Sequence, residues 1–189
     1  MKFNDILLLV EARTAPLYHA TSMLQAEKIL AGNSLTGYTL QTINGKTVHG
    51  VSLSRDLNFA KHWLTTGNAQ SGKGRGGVIF ELDQNKLAQR YKIAPIDYYH
   101  SPDSIVKTVE LRTGDYAEAE EFVVTSEIRN LENYIIHILM LSKTFKMFNN
   151  AIEKMADLNM VEYAGAEWDP EELTAIFNVI LTHPKLKVV

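Results

Sequence analysis

The chain contains no cysteine, which excludes a disulfide framework, a thiolate metal site and a cysteine nucleophile. It also lacks a long apolar run. Near the N-terminus the longest is Ile6 to Val10, too short for a transmembrane helix or a signal-peptide core, with Asn4 and Asp5 directly before it. A soluble protein with no membrane partner is therefore expected. Net positive charge is missing as well: the formal charge of −3 gives no bulk attraction to nucleic acid or anionic membrane, although a local basic groove stays open. His49, His62, His100, His137 and His183 show no paired ligand spacing, so no metal site is expected. No Gly-x-Ser-x-Gly elbow supports a Ser-His-Asp hydrolase, and no internal repeat is visible.

What is present suits one globular α/β domain, or one domain with an appended helical unit: 189 residues, of which 46% are hydrophobic and 22% charged. The organising stretch is Pro16-Leu17-Tyr18-His19-Ala20-Thr21. Apolar and aromatic residues lead into a histidine, a small residue and a hydroxyl, as a short buried strand does when it delivers polar groups to a cleft. Ser22 to Leu30 reads as a helix capped by Thr21 or Ser22, with Met23, Leu24, Ala26, Ile29 and Leu30 on its apolar face. His19 would then sit near a strand-to-helix junction.

The design recurs at Gly50 to Asp56, where Val51 and Leu53 alternate with Ser52 and Ser54. Ser54 or Asp56 would cap a helix from Leu57 to Leu64, with Phe59 and Trp63 beside its apolar face. Asn44-Gly45 suits a type I′ turn, so a hairpin is expected between Tyr38 and Val48. Ser71 to Gly77 is dense in glycine and basic residues. It lacks a Gly-Lys-Ser/Thr ending and precedes a strand, so it reads as a connector rather than a phosphate cradle, with Lys73 or Arg75 as its candidate phosphate contacts.

Strand Val78 to Leu82 and a helix from Asp83 to Arg90 follow. Extended segments are expected at Tyr91 to Tyr99, Ile105 to Leu111, Glu121 to Val124 and the first half of Tyr134 to Leu141, and a connection at Glu127 to Leu131. From Ser142 the composition turns to helix formers. One helix covers Lys143 to Leu158, and Asp169 with Pro170 opens another reaching about Leu181. Three units follow: an N-terminal helix or cleavable leader over 1–12, a core domain over 16–141, and a C-terminal helical extension over 142–189 packed on that domain.

Three of these strands, Leu17–His19, Val51–Ser54 and Glu121–Val124, combine apolar residues with a polar group at one end. In the order His, Ser, Glu they resemble the three-part signature of the ADP-ribosyltransferase superfamily, over roughly Leu17 to Leu139. Tyr18-His19-Ala20-Thr21 is similar to that family's Tyr-His-Gly-Thr, Ser52-Leu53-Ser54-Arg55-Asp56 with Phe59-Ala60 to its second motif, and Ala119 to Val124 to its carboxylate-then-strand motif. The resemblance implies a split, mainly antiparallel sheet with flanking helices and a helical C-terminal tail. It implies NAD as substrate, no metal, and transfer of ADP-ribose to a host macromolecule, protein or nucleic acid.

By the same resemblance Glu121 would hold the ribose hydroxyl beside the reacting carbon, and His19 would hydrogen-bond the other ribose. The backbone of Ala20, beside Thr21, would hold the nicotinamide amide. Ser52 or Ser54 would brace the glutamate, Tyr18 or Phe59 would stack on nicotinamide, and Arg55 would meet the pyrophosphate. Ala119 stands where arginine-modifying members carry Glu or Gln, so transfer to arginine is disfavoured; a register slip of one would make Glu120 the catalyst and restore that spacing. Alternatives are a noncatalytic protein retaining the fold, an NAD glycohydrolase or an RNA 2′-phosphotransferase. The last would call for more basic site residues than this chain provides.

The N-terminal segment adds a second resemblance. Phe3, Ile6, Leu7 and Val10 recur at helical spacing, and Leu9-Val10-Glu11-Ala12 places a Leu-x-Glu and a small residue at the end of that pattern. This resembles the capsid-targeting leaders of internal head proteins of large tailed bacteriophages, cut by the prohead protease after such a glutamate. It implies packaging in a phage head and release into the host cytoplasm. The plain alternative is a helix docked on the core.

Overall fold

The computed structural model describes residues 15–41, 47–66, 76–95, 120–123, 125–155, 161–163 and 166–189. The expected N-terminal helix or leader, the Asn44-Gly45 turn, the glycine-rich connector from residue 67 to 75 and the segment 96–119 lie outside these residues, as do Val124 and the expected helix end at Leu158.

Strand β1 (Leu17–Ser22) runs three residues beyond His19 before helix α1 (Met23–Gly32) begins. Ser22 is the last strand residue and also the cap, its Oγ accepting from Gln25 N–H at 3.3 Å. Helix α1 stops at Asn33, whose φ of 48° is left-handed. There the Asn33 side-chain oxygen accepts from Glu132 N–H at 2.9 Å, pinning the helix end to a single 3-10 turn, Leu131–Asn133. Strands β2 (Ser34–Thr36), β3 (Tyr38–Gln41) and β4 (Thr47–Ser54) follow, with β3 and β4 paired antiparallel as the expected hairpin requires.

Helix α2 (Leu57–Thr66) leads to β5 (Gly77–Leu82), α3 (Gln84–Arg90) and β6 (Ile93–Pro95), and Asp83 caps α3 through Lys86 N–H at 3.0 Å. After β7 (Glu120–Val123), the segment read as a connection forms β8 (Glu127–Arg129), which pairs with β2. Burial of Ile128 against the main core drives this pairing, a force one apolar residue between Glu127 and Arg129 does not advertise in sequence. Strand β9 (Ile135–Met140) occupies its segment through Met140, not only the first half.

The C-terminal region holds the two expected helices, α4 (Ser142–Met155) and α5 (Pro170–Ile176), the latter continuing through a π turn over Phe177–Leu181. It also holds three strands that helix-forming composition hides: the small hairpin β10 (Val161–Tyr163) and β11 (Ala166–Trp168), and β12 (Leu186–Val188), which joins β9 in parallel.

The main sheet has the order β12-β9-β5-β1-β4-β7-β6, with β3 also on β4, and is antiparallel apart from β9–β12. Alternation sorts its residues onto two faces. One carries Leu17, Val51, Leu53, Val78, Phe80, Leu82, Ile138 and Met140 into the main core with α1, α4 and α5. The other packs Ile79 and Leu139 against Ala60 of α2, with Tyr18, Ala20, Leu57 and Leu64 around them. Burying both faces explains why β5 reads as a nearly unbroken apolar run.

Candidate functional site

The join between β1 and β4 shapes the candidate site. Among the described residues these strands share one bridge pair, Tyr18 with Ser54. Continuing that register would set Ala20 against Ser52, but the ladder stops and the Ser52 carbonyl is met by His19 Nδ1 at 3.1 Å. A side chain thus satisfies a backbone oxygen where the sheet divides. Since a carbonyl only accepts, Nδ1 carries the hydrogen, and in the neutral ring Nε2 is left as an acceptor. Burial pushes the His19 imidazole below the usual histidine range, and the bond to Ser52 opposes this without overcoming it. His19 is partly open to solvent, so the ring combines a deep seat with an accessible edge.

The sequence-named residues do not all share one face. His19 follows Leu17 by two positions and pairs with Phe80, on the main-core side; Thr21 lies two further along. Tyr18 and Ala20 lie on the α2 side, as do Ser52 and Ser54 by the Tyr18–Ser54 pairing. Strand β7 pairs Leu53 with Glu121 and Ser54 with Glu120. Position 121 therefore falls in the row that holds Leu53 and His19, and position 120 in the row that holds Ser54 and Tyr18.

Ser54 is 4% exposed and its hydroxyl is engaged at the corner leaving β4. It accepts from Asp56 N–H at 3.0 Å and donates to Asp56 O at 3.1 Å. Asp56 in turn caps α2, accepting from Asn58 N–H at 2.7 Å. Phe59 is buried to 4% exposure, whereas Tyr18 keeps part of its ring open. Burial, then the Glu81 carboxylate, then that of Asp56 push the Tyr18 phenol above its ordinary range. Arg55, between the two corner residues, donates from Nη1 to Gln84 Oε1 at 3.3 Å. Gln84 has no part in the sequence motifs; a lone glutamine in a helix opening gives no signal until its neighbour is known.

On the α2 side the row extends beyond Tyr18 to Glu81 and His137, paired strand to strand, and His137 Nδ1 lies 2.7 Å from Glu81 Oε2. A cavity of about 330 Å³ lies elsewhere, at the C-terminal end of α1, between Leu30, Leu131, Val179 and His183, and contains none of the candidate residues. Among the described residues no group of three or more His, Asp or Glu could hold a metal ion, and no helix is long and apolar enough to cross a membrane.

No protein-family model and no curated protein matches the chain. Among solved structures it is similar to Thermus sp. 2.9 DarT in complex with NAD+, at 11% identity and a TM-score of 0.50, over 76% of this chain and 89% of that one. The mixed α/β architecture, with its mainly antiparallel sheet and flanking helices, is thus the fold of an ADP-ribosyltransferase.

Proposed function

We propose that the protein cleaves NAD and transfers ADP-ribose to an acceptor macromolecule. The observation that carries this reading is the row formed by His19 on β1, Leu53 on β4 and position Glu121 on β7, beside the division of a sheet whose fold is shared with an NAD-bound structure. Breaking the bond between nicotinamide and ribose develops oxocarbenium character at the ribose carbon, which a carboxylate stabilises electrostatically. Glu121 takes that role, and the row favours it over Glu120. His19, neutral at pH 7, offers Nε2 to a ribose hydroxyl, and Ala20 offers its backbone to the nicotinamide amide. Tyr18 and Ser52, expected at the nicotinamide, lie on the α2 face of the sheet, opposite this row, and Arg55 meets the diphosphate.

The test follows labelled ADP-ribose from NAD in bacterial lysate with wild type, Glu121→Gln, Glu120→Gln and His19→Ala. Glu121→Gln is expected to lower transfer about 100-fold or more, since it removes the charge that answers the transition state. Loss with Glu120→Gln alone would move the catalyst by one residue. Nicotinamide release without a labelled acceptor would mark a glycohydrolase, and neither product from folded protein would mark a noncatalytic relative.

The biological setting we propose is a phage protein, carried in the head, trimmed after Glu11 and acting on a host protein or nucleic acid in the cytoplasm. The leader-like Leu9-Val10-Glu11-Ala12 supports this. Mass analysis of virions is expected to find a chain beginning at Ala12, and one retaining Met1 or Lys2 would overturn the trimming.

A further inference from the structure

Strand β4 is paired unequally on its two edges. Toward β7 its register runs unbroken from Val51 to Ser54, whereas toward β1, among the described residues, it makes one pair, Tyr18 with Ser54, and the next, Ala20 with Ser52, is missing. The His19 bond settles which way Ser52 turns. Its carbonyl is reached from β1, and in an antiparallel ladder a residue's N–H and C=O turn to the same neighbour, so the Ser52 N–H faces β1 as well. Val51 and Leu53, one position to either side, turn to β7 instead. The missing pair is therefore one whose two residues would exchange both bonds, and Ala20 presents its own N–H and C=O to β4. Of these four groups His19 satisfies one, the Ser52 carbonyl. Two donors and one acceptor are left across the split, with no hydrogen bond to them among the described residues, and Ala20 and Ser52 are both half-buried.

We infer that the main-chain N–H of Ser52 is a binding group for the nicotinamide carboxamide, which fills the missing rung between β1 and β4 together with Ala20. This rests on the transferase reading given above, in which Ala20 alone holds the amide. The count of groups carries the step. A primary carboxamide has an oxygen with two lone pairs and an N–H to donate, the complement of two N–H groups and one C=O. It supplies the same amide chemistry that each strand would have found in the other. Main-chain groups lie in the plane of the sheet, so the seat of the Ser52 side chain on the α2 face does not remove this donor from the split.

Proline at position 52 deletes this donor without costing a ladder bond, because the N–H faces the split and not β7. Nicotinamide, NAD and ADP-ribose are titrated into wild type, Ser52→Ala and Ser52→Pro, and main-chain amide exchange of the wild type is followed by NMR with each ligand. Nicotinamide is expected to bind Ser52→Pro about tenfold more weakly than Ser52→Ala, which keeps the N–H. ADP-ribose, which lacks the carboxamide, is expected to bind the two variants alike. In the wild type, where no variant has to fold, the Ser52 amide is expected to exchange faster than those of Val51 and Leu53, and to slow with nicotinamide or NAD but not with ADP-ribose. Equal nicotinamide affinity in the two folded variants, an equal loss for ADP-ribose, or protection of Ala20 without Ser52 overturns the inference and leaves the transferase reading standing. Protection of Ser52 by nicotinamide in a wild type that does not bind NAD keeps the rung and removes that reading. No binding of nicotinamide or NAD by folded wild type overturns both.

Discussion

His19 ties protonation to folding. Its imidazole must stay neutral where it is buried, and its ordinary value of 6.5 is lowered in the folded chain. Between the lowered value and 6.5 the unfolded chain binds more protons, so stability falls as pH drops through that interval and is fully present above it. Urea unfolding followed downward from about pH 7.5 is expected to show this decline, and His19→Gln to flatten it. The strand bearing His19 and the identity of its polar neighbours were legible from Leu17 to Thr21, because alternation and small polar residues at a strand end are local signals. Which neighbours share its face was not. Face membership depends on how β1, β4 and β7 pair, and only that register separates position 121 from position 120. Nor did Phe59 or Ser54 announce that burial and a tight corner would claim them.

At the scale of elements, the corner between β4 and α2 depends on one hydroxyl. Ser54→Ala leaves the half-buried Asp56 N–H without its partner, a cost of about 1 kcal/mol, to be read as a fall in the urea midpoint. Gly77 at the start of β5 is a second sensitive point, because a Cβ there would press into the carbonyl of Thr21 and the side chain of Leu64. Gly77→Ala is expected to destabilise by about 1–3 kcal/mol, since the nearest atom is backbone and cannot swing aside. Elements with caps or long alternation were readable in advance: Ser22, Asp83 and Asp169 each open a helix as their chemistry suggests. Strands β8 and β12 were not. Each has three residues, Glu-Ile-Arg and Leu-Lys-Val, and a pattern that short carries no period; pairing with β2 and β9 defines them.

Across the whole molecule, the C-terminus is part of the main sheet. Val189 N–H donates to Met140 O at 2.9 Å, and Val189 O accepts from Ser142 N–H at 2.8 Å, so the last residues brace both β9 and the start of α4. Deleting residues 186–189 is expected to lower the thermal midpoint and to speed amide exchange in β9, which would otherwise be among the best protected strands. On the proposed transferase reading, NAD at about 100 times its dissociation constant is expected to raise unfolding stability by about 2.7 kcal/mol. The single bridge between β1 and β4 has a mechanical consequence. Among the described residues every other join in the main sheet has three or more paired positions, so that seam is the weakest against a force applied across the strands. Stretched from handles on β7 and β9, the protein would tear there first, and under the proposed function a dinucleotide bound across the seam would act as a suture that raises the rupture force.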